Sequence, residues 1–220
     1  MLIKGLNVKI LNKEILKEIN LEINKGINLI LGPNGSGKTT LLRTIIGMIK
    51  PSGGEIVVNE DKSYVPAEFF EVQMKVIDVL LSGGKYTLER YKRYIQFLNV
   101  ERYLNRDFST LSTGEKKIVL ITKALSEGNL VIMDEPTSGL DMRNSIIIMK
   151  VIKKIKDKTF LITTHDVNMI QIADNVILIK GGKIVFQGNP KDVTEDILSE
   201  LYEIPIKKYE INGEVFFKAI

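Results

Sequence analysis

Eight consecutive residues carry the strongest chemical signal in the chain. The run Gly32-Pro33-Asn34-Gly35-Ser36-Gly37-Lys38-Thr39 has the full spacing of a phosphate-binding loop. Its glycines let backbone N–H groups point inward around phosphate oxygens, and a following helix N-terminus would add positive potential. We expect Lys38 to bridge the β- and γ-phosphates and the Thr39 hydroxyl to ligate magnesium. The loop therefore predicts binding and hydrolysis of a nucleoside triphosphate.

A second signal is an apolar run that ends in two carboxylates, Leu-Val-Ile-Met at 130–133 followed by Asp134 and Glu135. An isolated run of this kind could be a buried strand with a solvated acidic end. Together with the phosphate loop, it predicts that Asp134 holds magnesium directly or through water. Glu135 is then expected to be the base that polarises the attacking water.

Three shorter motifs complete the pattern: Leu-Ser-Thr-Gly-Glu at 111–115, Ser-Gly-Leu-Asp at 138–141, and His165 after a predicted strand. Taken alone, residues 111–115 are a helix start with a capping box, and the single histidine could be structural. In the order phosphate loop, 111–115, acidic strand, 138–141 and histidine, however, the chain resembles the ATP-binding cassette (ABC) family over nearly its whole length. We call residues 111–115 the signature motif.

The resemblance implies a site shared by two ATPase domains that pair head to tail, each ATP lying between one phosphate loop and the partner's signature motif. It implies γ-phosphate contacts from Ser112 and Gly114, and a contact of His165 with the γ-phosphate and the catalytic water. Asp141 would link the two sites, and Thr40 would join the ATP contacts. The implied cofactors are ATP and Mg²⁺. The implied partners are an identical or second ABC ATPase and transmembrane permease subunits.

The chain departs from the family pattern in three places. Thr113 and Glu115 replace a glycine and a glutamine of the usual signature, and a carboxylate near the nucleotide is repulsive unless it is paired or distant. Ala67 lies where a glutamine is usual, with Glu68 and Gln73 as candidates to replace it. Residues 9–11 are Lys-Ile-Leu where an aromatic usually stacks on adenine, which predicts a loss of about 1 kcal/mol of stacking.

The surrounding pattern predicts an α/β fold: a P-loop NTPase core with a mostly parallel sheet, an N-terminal antiparallel β subdomain and an inserted helical subdomain. Alternating apolar residues predict two antiparallel strands with a turn near Asn12-Lys13, before a buried strand at 27–31. Helical periodicity covers 76–81, 88–98 and 115–125. Strand–helix units then follow, including a helix near 167–173. We predict one ABC ATPase domain over 1–220, with core at 1–65 and 129–220 and the helical subdomain at 66–128.

Composition excludes several other classes. The chain has 220 residues and no cysteine, which excludes disulfides and thiolate metal sites. Its apolar runs are too short to span a bilayer, and its first residues lack signal-peptide features. The net charge of +4 invites a nucleic-acid partner, which we do not expect because the lysines are dispersed. The densest run predicts a solvated helix face: Lys150, Lys153, Lys154, Lys156 and Lys158.

Several segments are similar to importers of iron chelates, cobalamin and metal oxyanions: 76–84, 165–168, 173–178 and the tail at 201–215, although the tail could equally be an edge-strand pair. We therefore expect the ATPase subunit of an importer at the cytoplasmic face of the membrane, with residues around Phe69 and Phe70 passing motion to the permease. An exporter subunit is the main alternative. A soluble cassette ATPase usually needs longer insertions or a second cassette, and retention of Glu135 and His165 opposes a regulatory module without hydrolysis.

Overall fold

The computed structural model describes residues 1–69, 71–211 and 213–220, so Phe70 and Asn212 of the segments above lie outside the described residues. The chain forms two compact units: unit 1 comprises 1–60 and 159–220, and unit 2 comprises 61–158. In chain order the elements are β1 (Leu2–Ile10), β2 (Lys13–Glu22), β3 (Gly26–Leu31), α1 (Lys38–Ile45), β4 (Gly53–Val57), β5 (Lys62–Val65), α2 (Val76–Leu81), α3 (Leu88–Phe97), α4 (Thr113–Glu127), β6 (Leu130–Asp134), α5 (Met142–Lys154), β7 (Thr159–Thr164), β8 (Asn175–Lys180), β9 (Lys183–Gly188), α6 (Glu195–Tyr202), β10 (Ile206–Ile211) and β11 (Glu214–Ala219).

Unit 1 begins with the predicted antiparallel sheet, in the order β2-β1-β4. Alternate residues on β1, such as Leu6 and Val8, are fully buried, as the period of two requires. The two-residue turn between β1 and β2 has φ of 47° at Leu11 and 63° at Asn12, the left-handed conformation that suits tight hairpins. The predicted strands and their turn are confirmed.

Unit 1 also contains the strands that lead to the phosphate loop. Their order is β7-β3-β8-β9, with β3 parallel to β7 and β8, and β8 antiparallel to β9. Every residue of β7, and every residue of β3 after Gly26, is buried. Such continuous burial is typical of parallel strands covered on both faces. The mostly parallel strands and the separate antiparallel sheet confirm the predicted α/β class.

Among its described residues, unit 2 combines one parallel strand pair, β5 and β6, with the α-helices α2 to α5 and two short 3₁₀ helices. Helices α2, α3 and α4 share an apolar core whose members include Leu80, Tyr91, Phe108 and Val119. These helices carry the periodicity predicted between 76 and 125. No helix among the described residues combines the length and the apolar composition that crossing a membrane requires.

Two expectations need correction. Lys158 is 7% exposed and lies beyond the end of α5, where its Nζ donates to the carbonyl oxygen of Gly128 at 2.5 Å. Lys156 is exposed but also follows the helix, so the solvated helix face holds for Lys150, Lys153 and Lys154. Residues Val167–Ile172 form a 3₁₀ helix instead of an α-helix. In the tail, α6 precedes a separate antiparallel hairpin of β10 and β11, which agrees with the strand-pair alternative.

Asn28 is the buried polar residue that joins the central strands of unit 1. It is 1% exposed, and its Nδ2 donates to the carbonyl oxygens of Asn24 (2.7 Å) and Phe160 (3.1 Å). Its Oδ1 accepts a hydrogen bond from Asn175 Nδ2 at 3.2 Å. The side chain therefore ties β3 to both neighbouring strands.

Asn28→Ala is expected to lower the free energy of unfolding by about 1–3 kcal/mol, because it leaves buried acceptors without their donor. Urea denaturation of the purified chain measures this change. Asn20→Ala is the matched control, since the exposed Asn20 also bonds backbone groups, and it should cost less than about 1 kcal/mol. Equal losses in the two variants would contradict the assignment.

Candidate functional site

The phosphate loop runs from the end of β3 to the start of α1 in unit 1. Gly37, the residue before α1, has φ of 107°, a backbone angle that residues with a side chain rarely adopt. At Gly32 a Cβ atom would lie 2.1 Å from the carbonyl oxygen of Ile179, so only glycine fits there. The loop is closed by Ser36, whose N–H donates to Pro33 O at 3.2 Å. These constraints hold the backbone in one tight curve between strand and helix.

Polar groups lie inside this curve. Lys38 is 7% exposed, and its Nζ donates to the carbonyl oxygens of Gly32 (2.7 Å) and Pro33 (3.2 Å). The Ser36 hydroxyl is buried and has no hydrogen-bond partner within the described residues. Thr39 and Thr40, half-buried, form the first turn of α1. A cationic donor, hydroxyls and a helix start are the groups that bind a phosphate.

His165 follows β7 directly and is exposed. Because β3 and β7 pair in parallel with Leu31 opposite Thr164, the next residues, Gly32 and His165, leave the two strands side by side. The strand register therefore places the predicted histidine next to the start of the phosphate loop, within unit 1.

In unit 2 the same principle governs the acidic strand. The parallel pair β5 and β6 has Val65 opposite Met133, so Pro66 and Asp134 follow at the same edge. Asp134 is 1% exposed, and its Oδ2 accepts a hydrogen bond from the Tyr64 hydroxyl at 3.4 Å. Such a buried carboxylate at a strand end suits a hard cation that also binds phosphate oxygens.

Glu135 is half-buried and has φ of 47°. A left-handed conformation is unusual for a residue other than glycine, and such strain clusters at functional sites. The turn that follows is closed by Ser138 N–H, which donates to Glu135 O at 3.1 Å. The sequence did not reveal this backbone conformation.

Sequence reasoning also missed Lys117, on α4. Its side chain is 1% exposed, and its Nζ donates to the carbonyl oxygens of Pro66 (3.4 Å), Ala67 (2.9 Å) and Glu135 (3.3 Å). Burial lowers the pKa of Lys117, while the nearby carboxylates of Asp134 and Glu135 act in the opposite direction. A signal was present: Lys117 lies three residues after Gly114 and four before Ile121, in phase with the buried face of α4.

The signature motif starts α4 with the predicted capping box. The Ser112 hydroxyl accepts from Glu115 N–H at 3.3 Å, and a Glu115 carboxylate oxygen accepts from Ser112 N–H at 2.9 Å. The bond from the Ser112 backbone lowers the pKa of Glu115, an effect that burial partly opposes. The additional carboxylate is thus held in the cap of its own helix by a backbone hydrogen bond, and its lowered pKa favours the charged form. Ser112 itself is exposed and retains a hydroxyl that can also donate.

Gly114 connects the signature motif to α5. A Cβ atom at this buried position would lie 2.5 Å from Asn144 Nδ2, so the Asn144 side chain packs directly on the glycine. The Asn144 backbone N–H and Nδ2 in turn donate to the Asp141 carboxylate, at 2.8 and 3.1 Å. Three residues that were predicted separately or not at all therefore form one contact chain in unit 2.

The other two departures from the family pattern are at Ala67 and at residues 9–11, and the structure agrees with what the sequence implied for both. Ala67 contributes its backbone carbonyl to Lys117, while Glu68 and Gln73 are exposed. Leu11, in the aliphatic segment expected near adenine, is 96% exposed. These residues do not supply the aromatic ring that the family usually offers.

Comparisons with known proteins agree with this geometry. A family model described as ABC transporter matches residues 16–138, which include the phosphate loop, the signature motif and the acidic strand. An uncharacterized ABC transporter ATP-binding protein of Methanocaldococcus jannaschii is 32% identical, over 94% of this chain and 82% of its own. The zinc import ATP-binding protein ZnuC of Wigglesworthia glossinidia brevipalpis is 32% identical, over 83% of each chain.

Solved structures give the same result. A metal-chelate type ABC transporter in an inward-facing conformation superposes with a TM-score of 0.87 at 25% identity, covering 100% of this chain and 96% of that chain. An ATP-binding cassette solved as a dimer in a post-hydrolysis state, bound to ADP and phosphate, superposes with a TM-score of 0.74 at 26% identity. The coverage there is 87% of this chain and 99% of that chain.

Gly114→Ala is expected to destabilise unit 2, although alanine normally favours a helix by about 1 kcal/mol over glycine. The new methyl group must displace Asn144, and overpacking of this kind costs about 1–3 kcal/mol. Urea denaturation of Gly114→Ala, Asn144→Ala and the double variant forms a double-mutant cycle. The double variant should be more stable than the sum of the single losses predicts. Simple additivity would show that the two side chains do not interact.

Proposed function

Because the chain belongs to the ABC transporter family of ATP-binding proteins, we propose that it is the ATPase subunit of a membrane transporter, binding Mg²⁺-ATP and acting as a dimer. The observation that carries this proposal is the closed phosphate loop of unit 1, with a buried Lys38 and a buried Ser36 hydroxyl inside it. Those groups fit the oxygens of a triphosphate. The glycines of the phosphate loop allow the backbone conformation that this binding requires.

The proposed residue roles follow from the local chemistry. Lys38 bridges the β- and γ-phosphates, while Gly32, Pro33, Asn34, Gly35, Ser36, Gly37, Thr39 and Thr40 form the rest of the phosphate contact. Thr39 and Asp134 hold Mg²⁺, which prefers a carboxylate and substrate oxygens. Glu135 accepts a proton from the attacking water, and His165 orients that water against the γ-phosphate. Ser112 and Gly114 of the second cassette complete each ATP-binding site, and Asp141 links the two sites.

The dimeric arrangement is supported by the form of the signature motif. Ser112 is exposed at the start of α4, so its hydroxyl lies at a helix N-terminus where an anion from outside the chain can reach it. The relative solved as a dimer with ADP and phosphate supports a dimeric form of this chain. The partner cassette is a second copy or a related ABC ATPase.

We propose import as the direction and a metal compound, such as an iron chelate or cobalamin, as the transported class. The support is the likeness to a zinc import protein over 83% of this chain, and to a metal-chelate type transporter over 100% of this chain. The chain would lie at the cytoplasmic face of the membrane, below separate permease subunits. The residues over 66–128 would then act as the helical subdomain that meets them.

Co-purification of this chain with a membrane protein from its native cells, followed by transport assays in proteoliposomes, tests this assignment. Uptake of a metal chelate driven by ATP is the expected result. ATP-driven extrusion of the same compound would favour an exporter instead. Association with ribosomes or DNA in place of a membrane protein would contradict transport altogether.

Glu135→Gln tests the proposed chemistry. We expect slow ATP hydrolysis by the wild type, and a loss of at least about 10²-fold in the variant because the general base is gone. The variant should accumulate as an ATP-bound dimer in size-exclusion chromatography with light scattering. Glu14→Gln, at an exposed position on β2, is the control and should retain activity. A Glu135→Gln protein that stays monomeric at saturating Mg²⁺-ATP would count against the proposal.

A further inference from the structure

Lys117 is unusual because the hydrogen bonds described above for its nearly buried ammonium all go to backbone carbonyl oxygens. An ammonium has three N–H donors, and Lys117 directs them to three carbonyl oxygens, those of Pro66, Ala67 and Glu135. These carbonyls belong to two different segments, the one that follows β5 and the one that follows β6. The side chain thus joins α4, which starts with the signature motif, to both.

The preceding residue strengthens the first connection. Lys116 is 6% exposed, and its Nζ forms an ion pair with the Glu71 carboxylate at 2.8 Å. The hydrogen bond from Lys116 lowers the pKa of Glu71, with the positive charge adding to the effect. Two consecutive lysines of α4 therefore fasten the segment after β5 at two points, its start at Pro66–Ala67 and its later part at Glu71.

The second connection reaches the residue proposed to activate water. Glu135 has a left-handed backbone, a conformation that persists only when the surroundings hold it in place. Its carbonyl oxygen accepts from both Lys117 Nζ (3.3 Å) and Ser138 N–H (3.1 Å). Those two donors orient the peptide plane between Glu135 and Pro136, which in turn orients the Glu135 side chain.

We propose that Lys117 is a positioning residue for ATP hydrolysis, whose ammonium holds the Glu135 backbone in register with the segment after β5 and with the signature helix. This inference rests on the proposed function, because it assigns Glu135 the role of base. It makes the placement of the carboxylate depend on the backbone position of Pro66 and Ala67. A displacement of that segment must then either carry Lys117 with it or break its bonds.

The alternative is that Lys117 only stabilises the fold, and the chain provides a matched control. Lys123 lies on the same helix, and its Nζ also donates to two backbone carbonyls, those of Leu80 (2.7 Å) and Ser82 (2.8 Å). It forms an ion pair with Glu127 and makes no contact with Glu135 among those described. The two lysines thus share a helix and both donate to backbone carbonyls, but they hold different segments, and Lys123 is half-buried and also paired with a carboxylate.

The test compares Lys117→Met and Lys123→Met, each of which keeps an unbranched apolar side chain and removes the ammonium. We expect Lys117→Met to slow single-turnover ATP hydrolysis by about 10-fold to 100-fold, as a small misplacement of a reacting group does. Its affinity for Mg²⁺-ADP, measured by calorimetry, should change by less than about three-fold, which separates rate from binding. Lys123→Met should hydrolyse ATP within about two-fold of wild type, even if its Tm falls equally.

Lys117→Gln provides a second variant that retains N–H donors, and it should recover part of the rate lost in Lys117→Met. If the Met variant does not fold, the rate of Lys117→Gln relative to Lys123→Gln decides the question. Rates of Lys117 variants equal to those of the matching Lys123 variants would overturn the proposal and leave Lys117 a structural role.

A readout that does not depend on activity separates this inference from the proposed function. The Ser138 amide donates to Glu135 O, so its hydrogen exchange reports whether that carbonyl stays in place. Loss of Ser138 protection in the Lys117 variant, but not in the Lys123 variant, is the expected result. Unchanged protection in both would refute the positioning role. A wild-type chain without ATPase activity would instead refute the proposed function, even if the exchange result showed that Lys117 holds the Glu135 backbone.

Discussion

The parallel pairing of strands is the constraint on which the rest of the structure depends. In unit 1 the ladder puts Leu31 opposite Thr164, and in unit 2 it puts Val65 opposite Met133. Since parallel strands end at the same edge, each pair delivers two loops side by side, one with glycine and histidine, the other with proline and aspartate. A register shift of one residue would exchange the two faces of the shifted strand and misplace both loops. Backbone hydrogen bonds between the strands therefore determine where the residues of the candidate site lie in each unit.

Charged side chains then determine the shape of those loops. Lys38 folds back onto the carbonyls of its own loop, and Lys117 reaches carbonyls of two others. In both cases a buried cation is stabilised by backbone dipoles, since a buried charge without hydrogen bonds would be costly. The carboxylate of Glu115 follows the same rule, because it accepts from the Ser112 backbone. Charges near the site are thus held by the fold before any nucleotide is bound.

The features that could be predicted from sequence are those encoded by neighbours in the chain. The phosphate loop, the acidic strand end and the capping box each lie within eight residues, and the β1–β2 turn follows from local alternation. The burial of Lys117 and Lys158 could not be predicted, because their acceptors lie as far as 51 and 30 residues away. The left-handed backbone of Glu135 could not be predicted either, since a donor to its carbonyl oxygen, Lys117, lies 18 residues away in the chain. Residues 167–172 kept a helical pattern but tightened to 3₁₀ geometry in the short span between β7 and β8.

Lys117 bonds only main-chain carbonyl oxygens of Pro66 and Ala67, and this has an evolutionary consequence. Backbone carbonyls are present whatever side chain a position carries, so replacing Ala67 leaves the acceptor in place. The side chains of that segment can therefore diverge while the inner attachment is preserved. One buried lysine would thus allow related chains to vary the surface of this segment while the proposed catalytic base, Glu135, stays in place.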